Sequence, residues 1–99
     1  MKASDISDKL ILRIIHDQCV QRQLWAHLRD IQNALPKFPV RVVLAKLRQL
    51  VRRRLVNGCG CGCRGDFEIE SAACAALGVQ PWREPWWKNP NYEIKGPLT

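Results

Sequence analysis

The stretch PVRVVLAKLRQLVRRRLVNGCGCGCRGDFEIE, residues 39–70, decides the fold. Its first half has the period of a helix from about residue 39 to 53, with Val40, Val43, Leu44, Leu47, Leu50 and Val51 on one side. Arg41, Ala45, Arg48 and Arg52 follow i, i+4, i+7, i+11 on the other side, flanked by Lys46, Gln49 and Arg53. Pro39 suits the first turn, where its missing N–H costs nothing. The second half changes period. Phe67 and Ile69 alternate with Asp66, Glu68 and Glu70, as in a half-buried strand, and Leu55-Val56-Asn57 starts a partner strand. The glycine-rich middle supplies the turn, so a two-faced helix runs into a β-hairpin.

Upstream, residues 7–19 predict a helix: Ser7 is placed to cap it, Asp8 sits in its first turn, and Ile6 precedes the cap as a staple. Leu10, Ile11, Ile14, Ile15 and Cys19 recur on its apolar face. A second helix is predicted over 24–35, with Leu24, Trp25, Leu28, Ile31 and Leu35 on one stripe and Pro36 as its stop. Downstream, SAACAALG reads as a short helix with Ser71 as cap and Gly78 as terminator. Residues 79–99 carry four of the six prolines and three of the four tryptophans, which predicts an extended tail. Three helices, a hairpin and a short helix need no βαβ crossover. The economical packing is α+β: a winged helix-turn-helix domain over 1–78 with a Pro/Trp-rich tail over 79–99.

The chain has 99 residues, 46% hydrophobic and 25% charged, which suits one small folded domain. The net charge is +7, and it is concentrated. Residues 37–64 hold Lys37, Arg41, Lys46, Arg48, Arg52, Arg53, Arg54 and Arg64 with no Asp or Glu. A structured single-sign block points to an acidic partner. Asp5 and Asp8 stand where a signal peptide needs positive charge, and no apolar run approaches a membrane span. The expectation is a cytoplasmic protein with no membrane partner. Its five cysteines would stay reduced there, and an odd number suits no complete disulfide framework.

VVLAKLRQLVRRRLVNG resembles the recognition helix and first wing strand of winged helix-turn-helix regulators. RGDFEIESAACAALG is similar to the return strand and following helix of the MarR- and ArsR-type repressors, with Phe67, Ile69, Ala73, Ala76 and Leu77 at the matching apolar positions. The resemblance covers roughly residues 7–78. Arg54 replaces the usual glycine before the wing, and Glu70 and Ala73 replace the usual Thr and Gly.

The resemblance implies a DNA-binding transcriptional regulator, with the third helix in the major groove and the wing on flanking backbone. Arg41 is the candidate for a bidentate guanine contact, Val42 for a thymine methyl, and small Ala45 for close approach. Lys37, Lys46, Arg48, Gln49, Arg52, Arg53 and, at the wing tip, Arg64 complete the candidate interface, the cations serving phosphates. The expected partner is double-stranded DNA, with a homodimer as one way of binding half-sites. A small basic regulator also suits a prophage or mobile element. The bland alternative for such a face is a solvated helix surface. The rival use of the fold is a protein-binding adaptor, working through the basic helix or the tail.

Cys59, Cys61 and Cys63 alternate with glycines. In a regular strand their Cα atoms would stand about 6.6 Å apart, whereas sulfurs on one zinc approach to under about 4 Å. Only a bent loop could gather them, and Cys74 is the nearest fourth ligand, with Cys19, His16 and His27 behind it. Zinc or an iron–sulfur cluster is therefore the alternative to an expected absence of cofactors. A cysteine-rich wing with a Trp-Trp tail is also similar to the small ferrous-transport winged-helix proteins, whose cysteines are spaced more widely. A redox role is a third reading, since Arg53, Arg54 and Arg64 would favour thiolates. Trp82, Trp86, Trp87 and Tyr92 could cover the domain's own apolar surface or anchor a partner. An enzyme is not expected: His16 and Asp17 are adjacent and point apart, and the chain has no carboxylate pair, phosphate-cradling loop or nucleophile elbow.

Overall fold

In a computed structural model of the chain, residues 1–58 and 65–82 are described. A short 3₁₀ turn at Ala3–Asp5 precedes α1 (Asp8–Arg22), β1 (Ala26–His27), α2 (Leu28–Asn33), α3 (Val40–Arg52), β2 (Val56–Gly58), β3 (Asp66–Ile69) and α4 (Ser71–Leu77). Among the described residues the architecture is α+β, four helices and a three-stranded antiparallel sheet of order β1-β3-β2.

α1 starts as its sequence dictates. Ser7 is extended, and its Oγ accepts a hydrogen bond from the Leu10 N–H at 3.4 Å. Ile6 before it is buried, consistent with a hydrophobic staple. The helix ends at Gln23, whose left-handed backbone (φ 54°) lets its N–H reach the Cys19 carbonyl at 2.8 Å. Of the predicted face, Ile11, Ile15 and Cys19 are buried and Ile14 is half-buried, while Leu12 joins them in the core. Leu10 is 47% exposed. The reason is tertiary: β1, β3, α2 and α4 all pack on α1, and together they select the 11/12/15/19 stripe.

The predicted helix over 24–35 is shorter than expected. Ala26 pairs with Phe67 and His27 with Asp66, so these two residues form β1, and α2 starts only at Leu28. The edge of β3 offers ladder hydrogen bonds that a helix start could not reach. Leu24 is consequently exposed, while Ile31 and Leu35 keep their predicted burial.

Pro39 caps α3, its carbonyl accepting from the N–H groups of Val42 and Val43 at 2.9 and 3.1 Å. Val43, Leu47 and Leu50 are fully buried. The face is rotated from the prediction: Val40 is 52% exposed, and Val42 joins the core. The N-terminal 3₁₀ turn packs against α3, and Asp8 at the start of α1 pairs with Lys46. Arg54 then takes φ 60°. Its N–H reaches the Val51 carbonyl, and the Leu55 N–H reaches that of Leu50, both at 3.0 Å. That is a Schellman closure with arginine at the position glycine usually holds. α4 ends by the same closure with Gly78 (φ 72°), Gly78 bonding Ala75 and Val79 bonding Cys74. Its cap residue is Glu70, one before the predicted Ser71.

β2 and β3 pair as predicted, in the register Val56↔Ile69, Asn57↔Glu68, Gly58↔Phe67. Phe67 sits at the centre of the sheet and is fully buried. A Cβ on Gly58 would stand 2.6 Å from Phe67 Cδ1 and 3.0 Å from the Asp66 carbonyl oxygen, so only glycine fits there. Glu68, predicted on the solvent side, is buried as well. After α4 the chain turns back over α1. Val79 and Trp82 pack against the core, and His16 Nε2 donates to the Gln80 carbonyl at 2.7 Å. Among the described residues, no helix is long and apolar enough to cross a membrane.

Candidate nucleic-acid interface

α3 carries the strongest chemical pattern in the chain. Its register puts Arg41, Arg48 and Arg52 within about 20° of one line along a stripe about 16 Å long. All three are exposed, as are Gln49 and Lys37; Ala45 is half-buried between them. α3 contains no acidic residue, so its outer surface has a single sign.

Two predicted contact residues do not belong to this surface. Val42 is 5% exposed and packs in the core, where it cannot meet a base. Lys46 is also 5% exposed, and its Nζ is ion-paired with Asp8 Oδ1. Arg53 is half exposed but donates to Asp8 Oδ2 at 2.9 Å. Asp8 therefore ties Lys46 of α3, and Arg53 just past its end, to the start of α1. The hydrogen bond from Lys46, then that from Arg53, holds its carboxyl below the usual carboxylate range. In the sequence Asp8 is only a helix-start acid; nothing local announces partners 38 and 45 residues away.

The described cysteines are core residues. Cys19 on α1 and Cys74 on α4 are both buried. Burial raises the Cys19 thiol above its ordinary value. Burial first, then the neighbouring Cys19, pushes Cys74 up to about 11. Such thiols stay protonated at neutral pH, as packed core thiols do. Cys74, the predicted fourth ligand, thus sits in the core as a thiol. Among the described residues, no group of three or more His, Cys, Asp or Glu could hold a metal ion. Cys59, Cys61, Cys63, Arg64, Trp86, Trp87 and Tyr92 lie outside the described residues. Trp82, the first of the tail aromatics, is half-buried against the core.

Comparison with protein-family models, with curated proteins and with solved structures finds no match.

Proposed function

We propose that the chain is a winged helix-turn-helix DNA-binding regulator that works in the cytoplasm. The observation that carries this reading is the exposed stripe of Arg41, Arg48 and Arg52 on a helix that contains no acid. Its context supports it: α2 and a short turn precede that helix, and an antiparallel hairpin follows it. In this reading α3 lies in the major groove, where its N-terminal residues face base edges. Arg41 reads a guanine, and Ala45 lets the helix approach. Arg48, Arg52 and Lys37 hold phosphates and set register. Val42 and Lys46 are removed from the interface by burial, and Asp8 offsets part of the charge on Arg53.

The test is binding to duplex DNA across a salt series. Each phosphate contact contributes about −0.9 to the slope of log K against log salt. Arg52→Ala should make the slope shallower by about 1 for every sequence. Arg41→Ala should relax preference at one base pair, worth about 1–3 kcal/mol of discrimination. Absence of salt-sensitive binding in the intact protein would overturn the reading and leave protein docking as the use of this surface.

A further inference from the structure

A second cationic feature lies at the root of the hairpin, on the side of β3 away from β2. An open depression of about 390 Å³ is lined by His27, Leu28, Arg29 and Gly65. Three local facts build it. β1 sets His27 opposite Asp66 in the ladder. The Leu28 N–H donates to the Gly65 carbonyl at 2.7 Å, which fastens the start of α2 to the strand returning from the hairpin. Arg29, the next residue, is exposed, as is His27.

The nearby acids are accounted for. Asp30 lies 3.9 Å from Arg22, which also donates to the Trp25 carbonyl at 2.9 Å. Asp66 faces the adjoining depression, with Arg22, Leu24, Trp25 and His27. Among the described residues, no carboxylate pairs with Arg29. Among the described residues, the shelf therefore presents a guanidinium with no carboxylate partner beside an imidazole, with no acid in its lining.

We propose that this shelf is a phosphate site for duplex DNA: Arg29, with His27 beside it, holds a backbone phosphate flanking the segment that α3 reads. The proposal rests on the DNA-binding reading above. A guanidinium fork matches the oxygens of a phosphate, and an open depression at the surface is reached by a backbone group without unstacking a base. The spacing agrees. α2 packs on α3 and on β1, so the shelf is one helix removed from the arginine stripe. Packed helices stand about 8–10 Å apart, and the major groove is about 12 Å wide. With α3 seated in the groove, its neighbour comes to the phosphates of the groove wall.

The experiment compares the intact protein with its Arg29→Ala, Arg29→Lys and Arg52→Ala variants on one duplex over a salt series, with thermal melting of each. Arg29→Ala should melt with the parent, bind every sequence roughly five- to tenfold more weakly at low salt, and lose about 1 from the salt slope. Arg29→Lys should keep the slope, because it keeps the charge. If Arg29→Ala matches the parent in affinity and slope while Arg52→Ala loses both, the shelf is no phosphate site and the α3 reading stands. If the parent itself shows no salt-sensitive binding, the DNA reading falls and the shelf falls with it.

Discussion

At the scale of the residue, Arg54 and Asp8 have the clearest energetic consequences. Arg54 occupies a left-handed backbone position inside a Schellman closure, while Gly78 does the same task at the end of α4. A side chain with a Cβ is strained there by about 1 kcal/mol relative to glycine. Arg54→Gly should therefore raise stability by about that amount, read as a higher urea midpoint at unchanged m-value. Gln23→Gly should gain less, because the Gln23 side chain donates to the Val20 carbonyl at 2.7 Å and glycine forfeits that bond. The Arg54 position was legible in the sequence as the place where a glycine is usual. Asp8 was not. Its pKa is depressed in the fold, so its contribution to stability is full above the ordinary carboxylate value near 3.8 and is lost as pH falls through the lower folded value. Asp8→Asn leaves the buried Lys46 ammonium without its counter-charge. It should cost about 1–3 kcal/mol at pH 7, tempered by the partial exposure of Asp8, and should flatten the acid limb of the stability curve.

At the scale of the element, local signals and long-range pairing divide the outcome. The hairpin was legible because Phe67 and Ile69 alternate with polar neighbours and a glycine-rich segment precedes them. α3 was legible as a helix, yet its burial face was misplaced, because the start of α1, whose Asp8 pairs with Lys46, leaves no trace in the helix's own period. β1 was invisible: two residues inside a helical pattern become a strand only because Phe67 and Asp66 are there to pair with them. Gly58 is the element's weakest point for substitution. Gly58→Ala would drive a methyl into the Phe67 ring, which is held between β1 and β2, so neither partner moves freely. The expected loss is about 1–3 kcal/mol, seen as an earlier melt of the near-ultraviolet signal. A wild-type melting curve from Gly58→Ala would show that the ring can shift.

At the scale of the whole molecule, charge is distributed by element. Asp8, at the start of α1, engages Lys46 and Arg53 among the described ion pairs. The candidate interface was thus legible as a stripe, from spacing and sign, but not in its membership, since sequence cannot say which cations another element will claim. If Arg41 reads a base as proposed, DNA affinity of Arg41→Ala should differ between sites and that of Arg52→Ala should not, a contrast that one competition experiment with two duplexes measures. The sealed thiols of Cys19 and Cys74 have a different use. They lie on the two helices whose packing closes the core, α1 and α4, and burial keeps both protonated. An alkylating reagent can reach them only when the packing around them, α4 on α1 included, opens. Their slow labelling in the native protein, followed by mass, times that opening. Labelling them within seconds under native conditions would mean that α4 is docked only part of the time.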